Sequence, residues 1–347
     1  GFAGGKSRSQ RDGFRIVRLG TWKSVFWKAY RYYRENLSGW ADLVIDEMNT
    51  VPFFAKLYVK EKNILFVHQL CREVWFYQMS FPLSLIGYLI EPIYLWFLRD
   101  RQVITISEST RRDLIRFGFK KENIGIISEG INIEPLENIK GIKKFSRPTI
   151  LSHGHIRSMK RTDHILRAFE IAKKEISNLR LIISGGNNNC FGRRLRRLIQ
   201  KSPFSDSVKY LGRITDRRKQ ELMRKSHLIG VTSVKEGWGL IVTEAGSQGT
   251  PAVVYDVDGL RDSVKHGKTG LVARKNTPEE LAKNIVKLLG DEKRYAKLRK
   301  NAWEFSQEVN FEKSYRDFLW VVESFMNKKK ARLGLISNQE EELKSIC

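Results

Sequence analysis

Short apolar runs rich in β-branched residues recur at 14–19, 42–46, 64–67, 103–106 and 124–127, each ending near a polar residue or a glycine. Runs of this kind, closed by turn formers, read as strands buried on both faces of a parallel sheet. A polar stretch from 138 to 147, followed by Pro148, reads as a hinge. A second series then begins, at 149–152, 179–184, 208–211, 228–234, 252–255 and 270–272, with segments of helical period between the runs. The alternation predicts an α/β chain with two doubly wound sheets. Residues 278–289 and 292–303 continue as helices, and 315–325 carries an apolar stripe suited to a helix that returns to the first domain. No internal repeat is present, and the last stretch lacks a periodic stripe, so 331–347 is expected to be a mobile tail.

The most informative segment is 233–249, SVKEGWGLIVTEAGSQG. It follows the buried run 228–234, so Glu236-Gly237-Trp238-Gly239 must turn, and Leu240, Ile241, Val242 and Ala245 then fall at helical spacing until Gly249 and Pro251. A helix opening directly after a glycine turn aims unpaired N–H groups and its positive dipole end beyond the strand's carboxyl edge, where phosphate is the usual guest. Glu244 lies just over a turn into that helix, placed to accept hydrogen bonds from a ribose diol. Glu236, on the turn itself, faces a place where sugar hydroxyls would lie.

These residues, E-G-W-G-L-x3-E-A, with the G-T-P-A-V that follows and D-G-L-R-D-S-V-x-x-G-x-T-G-L-V ending at Val272, resemble glycosyltransferase family 4, and a thinner similarity runs from about 46 to 311. The resemblance implies the GT-B fold, two facing Rossmann-like domains, and transfer with retention of anomeric configuration. It implies an acceptor-side domain at 1–147 lacking its opening strand–loop–helix unit, a nucleotide-sugar domain at 148–306, a crossover helix at 307–330 and the tail at 331–347. It further implies a hexose donor of mannose or glucose type carried on GDP or UDP, and a lipid-linked or polysaccharide acceptor. No tightly bound cofactor is expected. Within the motif, Glu236 would contact the donor sugar and Glu244 the ribose, with Gly237, Trp238, Gly239 and Leu240 forming the turn at the diphosphate.

Gly154-His155-Ile156-Arg157-Ser158-Met159-Lys160 follows the first strand of the second series and resembles the family's G-R-L-x3-K phosphate clamp. Lys160 matches it. His155 replaces the arginine and is shorter, with no bidentate contact to phosphate; Arg157 or Arg161 would have to compensate. His68 ends the run 64–67, a strand end that projects toward a cleft, and by resemblance it would touch donor sugar or acceptor. Glu129 stands where the family has Asn before Gly130, leaving only the close backbone approach of Gly130 to carry over. His153 and His155 form H-x-H with no acidic cluster beside them, and Asp256-Val257-Asp258 is a D-x-D in an ordinary turn setting, so no metal is inferred.

Composition changes the picture mainly through charge. A net charge of +25 over 347 residues points to an anionic partner. RNP-type and zinc-finger patterns are absent, which disfavours nucleic acid and favours an anionic membrane surface. The three cysteines form no C-x-x-C, fitting a reducing, cytoplasmic compartment with peripheral attachment to the inner face of the plasma membrane. Two segments suit such a surface. Trp22, Phe26, Tyr30, Tyr33 and Leu37 interleave with Lys23, Lys28, Arg31 and Arg34 at helical spacing. Residues 79–98 are long and apolar, but Pro82, Glu91 and Pro92 argue against a membrane span. Rival readings are an NAD-dependent oxidoreductase, using Gly237-x-Gly239 and Asp256 but with Val242 at the third glycine, and a catalytically impaired protein binding nucleotide sugar or an anionic polymer.

Overall fold

The structure, a computed structural model, describes residues 5–186 and 189–326. The tail expected at 331–347 lies outside them. The first element is a hairpin of β1 (Arg8–Arg11) and β2 (Phe14–Val17) turning at Asp12-Gly13, both with positive φ. Such a two-residue turn matches the twist of adjacent antiparallel strands. The run expected at 14–19 as part of the first parallel sheet is therefore corrected: it pairs with its neighbour in sequence.

The first domain continues through α1 (Val25–Asn36), β3 (Leu43–Met48), β4 (Lys62–Val67), α2 (Trp75–Gln78), α3 (Leu83–Leu98), β5 (Gln102–Thr105), α4 (Glu108–Arg116) and β6 (Ile124–Ile126). Strands β3-β4-β5-β6 form a parallel sheet in that order. One face is covered by Tyr94, Leu95 and Leu98 of α3 packed on Leu65, Val67 and Val103.

The second domain runs β7 (Thr149–His153), α5 (Thr162–Glu175), β8 (Arg180–Ser184), α6 (Cys190–Lys201), β9 (Val208–Tyr210), α7 (Asp216–Lys225) and β10 (Leu228–Val231). It ends with α8 (Leu240–Ser247), β11 (Ala252–Val254), α9 (Leu260–Ser263), β12 (Gly270–Val272), α10 (Pro278–Leu289) and α11 (Glu292–Gln307). Its six parallel strands lie in the order β12-β11-β10-β7-β8-β9. That is the doubly wound order, with the connection reversing direction between β7 and β10 and opening a crevice at their carboxyl ends. Helix ends are specified locally: Thr215 and Thr277 cap α7 and α10 through their hydroxyls, and Pro278 occupies the first turn of α10. Phe169 of α5 is fully buried in the core beneath this sheet, where truncation to alanine costs about 3–5 kcal/mol.

The polar stretch 138–147 is fastened to the second domain. Phe145 N–H donates to the Lys225 carbonyl, and the ammonium of Lys144 donates to the carbonyls of Arg224 and Gly249. After α11 the chain passes into α12 (Phe311–Met326), whose Phe318, Val321 and Val322 pack on Ile64, Ile104 and Ile127 of the first sheet. Ser128 donates from both N–H and Oγ to Asp317 of that helix. The chain is thus an α/β fold of two facing Rossmann-like sheets joined by one crossover and one returning helix.

Candidate active site

The crevice at the β7/β10 switch point faces the carboxyl ends of β4 and β5 across the domain boundary, enclosing a cavity of ≈ 450 Å³. Among the residues singled out in the sequence, His68, Gly154, His155, Lys160, Glu236, Gly237, Trp238, Gly239 and Leu240 line it, as do Glu129, His153 and Arg157. Residues far apart in sequence converge because each follows a strand of one of the two sheets.

Lys160 and Glu236 meet directly. The Lys160 ammonium donates to Glu236 Oε1 at 2.5 Å, and the Ser233 hydroxyl donates to the same oxygen at 2.5 Å. Both side chains are partly exposed to the cavity, so an anion entering it would meet the ammonium beside the open end of α8. That helix begins at Gly239, whose φ of 87° is a left-handed conformation suited to glycine. No side chain caps it, and the first amides are left for a guest. Gly237 is required for a different reason: a Cβ there would stand 2.9 Å from the His68 carbonyl oxygen of the facing domain. The turn therefore seats against the end of β4.

His68 rests with its ring stacked on Phe66 and Nε2 2.7 Å from Glu47 Oε1. Glu129 also lines the cavity; burial raises its carboxyl pKa, and the nearby His68 opposes that shift. Gly130 leaves room for protein, since a Cβ there would meet the Phe311 ring at 2.4 Å. Trp238 packs its ring with the apolar cluster of the first sheet and donates its indole N–H to Thr243 at 3.0 Å, joining the domains as well as lining the cavity.

Glu244 does not line this cavity. It is buried and paired with Lys219 of α7 at 3.1 Å; burial raises its pKa and Lys219 opposes the rise. His155 is exposed on the cavity wall, and Arg157 lines it too. Arg161 is directed elsewhere, donating to the Tyr77 hydroxyl at 2.9 Å, so of the two candidate substitutes for the family's arginine only Arg157 reaches the site. His153 bonds Ser184 through Nδ1 at 2.8 Å, and burial, with the charge of Lys219 adding to it, lowers its pKa to about 4. A second cavity, ≈ 560 Å³, adjoins the first and is lined by His153, Gly154, His155, Gly185, Gly186, Arg213 and Ile214. The Gly-Gly pair after β8 was a legible sign of this extension that the motif reading passed over.

Sequence reasoning also missed the support beneath the turn. Lys235 is buried and donates to Asp113 of α4 at 2.6 Å and to Asp258 at 2.8 Å. Asp258 and Asp256 are in turn held by Arg261, at 2.6 and 2.8 Å. The D-x-D is thus a structural ion bridge. Asp256, the ribose-binding acid of the dinucleotide alternative, is engaged by Arg261 and lies outside the main cavity, so that alternative finds no support.

Residues 136–305 match the family model described as Glycosyl transferases group 1, and form a domain of that type. The D-inositol 3-phosphate glycosyltransferase of Nocardia farcinica is 27% identical over 241 residues, covering 64% of this chain and 53% of that protein. The poly(glycerol-phosphate) alpha-glucosyltransferase of Bacillus subtilis is 32% identical over 154 residues, covering 44% and 22%. The chain spans about half the length, or less, of these curated relatives. Among solved structures, sucrose-phosphate synthase from Thermosynechococcus elongatus superposes with a TM-score of 0.74 at 19% identity, covering 94% of this chain and 87% of that one. Anabaena HepE in complex with UDP and glucose gives 0.68 at 17% identity, covering 86% and 81%. At these identities the structural likeness speaks for the fold.

Proposed function

We propose that this protein is a retaining glycosyltransferase that moves a hexose of glucose or mannose type from a nucleotide diphosphate sugar to a lipid-linked or polysaccharide acceptor at the inner face of the plasma membrane. The observation that carries this reading is the convergence of Lys160, Glu236 and the uncapped start of α8 on one cavity facing the other domain. In it, Lys160 and the amides of Gly239 and Leu240 hold the diphosphate, while Glu236 receives hydroxyls of the donor sugar. Arriving donor replaces the Lys160–Glu236 contact, freeing a cation for phosphate and a carboxylate for sugar. Glu244 orients the ribose once its pairing with Lys219 is shared or released, and the second cavity takes the base. His68, across the cleft, faces the transferred sugar or the acceptor.

The bond that breaks joins the anomeric carbon to the β-phosphate oxygen, and the bond that forms joins that carbon to the acceptor hydroxyl oxygen. The leaving phosphate takes the hydroxyl proton, so the protein's main contribution is to stabilise charge on the leaving group. UDP, named with the Anabaena neighbour, is the first nucleotide to test, beside GDP.

A thermal-shift and calorimetric panel of UDP, GDP, their hexose conjugates and NAD, on the protein and on Glu244→Ala, tests the reading. Saturable stabilisation by one nucleotide sugar, weakened by Glu244→Ala, supports it. Equal responses in both proteins, or a response to NAD alone, would overturn it.

A further inference from the structure

Helix α3 carries one charged residue along its length, Glu91, and that residue is turned inward. Its carboxylate accepts the N–H groups of Cys71 and Arg72 at 2.7 and 2.6 Å and the indole N–H of Trp75 at 3.0 Å. The opposite face holds only apolar side chains: Leu83, Ile86, Leu89, Ile90, Ile93 and Trp96 are all exposed, Ile93 to 65%. Soluble proteins rarely leave so continuous an apolar stripe in water without a partner. The surface extends to the cleft. Phe76 packs against Tyr88 of α3, and the neighbouring Tyr77 accepts from Ser158 and Arg161, beside Lys160.

The edge of this face decides what covers it. Cations lie against its aromatic rings, with Arg99 4.7 Å from the Trp96 centroid and Lys56 4.4 Å from Phe97, while Arg72, 4.2 Å from Tyr88, is turned inward and pairs with Glu91 at 3.7 Å. The exposed anions near it are Glu73 and Asp100, the latter paired with Lys56. The 53–58 segment joins this face to α1: Phe53 packs on Phe26, and Lys56 donates to the Phe97 carbonyl. There Trp22 and Trp27 are exposed among lysines and arginines. A second copy related by a two-fold axis would bring these cation-rich edges together. An anionic bilayer matches both parts, taking the apolar stripe into the acyl boundary and the cations into the headgroup layer. At 16 residues α3 is about 24 Å long, below the thickness of a bilayer core, so it would lie along the surface.

We infer that the exposed face of α3, continued by the start of α1, docks this protein on an anionic bilayer, with the cleft mouth at Tyr77 brought to the headgroup layer. This names the surface by which a lipid-linked acceptor would reach the proposed active site, and so rests on that reading for its purpose but not for its test. Flotation of the full chain with phosphatidylcholine vesicles, with and without phosphatidylglycerol, is compared for the parent, Ile90→Ser/Ile93→Ser and Trp320→Ser, an exposed residue of α12. The parent and Trp320→Ser float with the anionic vesicles, less so in high salt. The double variant binds more weakly by ~tenfold or more, with an unchanged melting temperature and an unchanged response to nucleotide sugar. Brominated lipid quenches tryptophan emission in the parent and less in Trp96→Phe. Equal flotation of parent and double variant, no flotation of the parent, or a dimer in light scattering that the double variant dissolves would each overturn the inference. Flotation without any nucleotide response would keep the docking surface and sink the donor site.

Discussion

Lys235 offers a direct measure of how the two domains are held beside the turn from Glu236 to Gly239. Its side chain is 6% exposed and bridges Asp113 of the first domain to Asp258 of the second. Glu236 follows it in sequence and donates its N–H to the Asp258 carbonyl at 3.1 Å. Removing one partner from a buried pair costs about 3–5 kcal/mol. Here Asp258 keeps Arg261 at 2.6 Å, and Asp113 keeps Arg116 at 3.3 Å through a largely solvated guanidinium. Those remaining cations reduce the expectation for Lys235→Met to about 2–4 kcal/mol. Urea denaturation of Lys235→Met, Asp113→Asn and the double variant gives the coupling energy, and small-angle scattering reports whether the domains separate. Burial pushes the Asp258 carboxyl up, but Lys235 and Arg261 more than offset it and leave the pKa below the ordinary 3.8. A depressed carboxyl contributes its stability above the unfolded value and loses it as pH falls through the folded one, so the bridge persists at neutral pH and weakens below about pH 4. A coupling energy under ~0.5 kcal/mol, with scattering unchanged, would refute the bridge as the link between domains.

Three further outcomes follow from the same geometry. Glu236→Gln should lower turnover by ~10²-fold or more with little change in melting temperature, since Lys160 is left beside an accessible cavity; steady-state rates and thermal melts check both. Glu91→Gln should lower stability by about 1–3 kcal/mol in urea denaturation, because the buried carboxylate takes three N–H groups and an amide offers one oxygen. His153 and His227 are both lowered to about 4, chiefly by burial and then by Lys219 and Lys144 respectively. Their unfolded values lie near 6.5, so the unfolded chain binds more protons between pH 6.5 and 4 and stability should fall as pH is lowered through that window; ring-proton titration by NMR should show both neutral at pH 6.

The second domain was largely legible because its signals are local. Each strand is a short apolar run, and the turn from Glu236 to Gly239 announces itself by two glycines before a helix. The first domain was less so. The run at 14–19 has strand composition, yet the Asp12-Gly13 pair before it allows a tight hairpin, and local pairing prevailed. Within the stretch 79–98, α3 presents apolar residues on both its faces, and periodicity cannot separate a core face from an exposed one when both are apolar. Only Glu91, the residue that breaks the run, marks the inward side.

The site shows the same limit from another side. Residue types and the family resemblance single out Lys160 and Glu236 as candidates, but that they meet depends on the crossing of the β7 and β10 loops, which no local pattern encodes. Spacing placed Glu244 near a ribose, and it equally permits the buried pair with Lys219 of the neighbouring helix. Lys235, beside the most telling glutamate in the chain, carries no local sign of its role because its partners stand 122 and 23 residues away. Ligand-facing residues must wait for a guest, so their chemistry is carried by type and turn. Residues that hold the domains in place have their partners already, and those partners are fixed by topology. Substituting the first kind should therefore alter binding or rate ahead of stability, while substituting the second should alter stability and the spacing of the domains first.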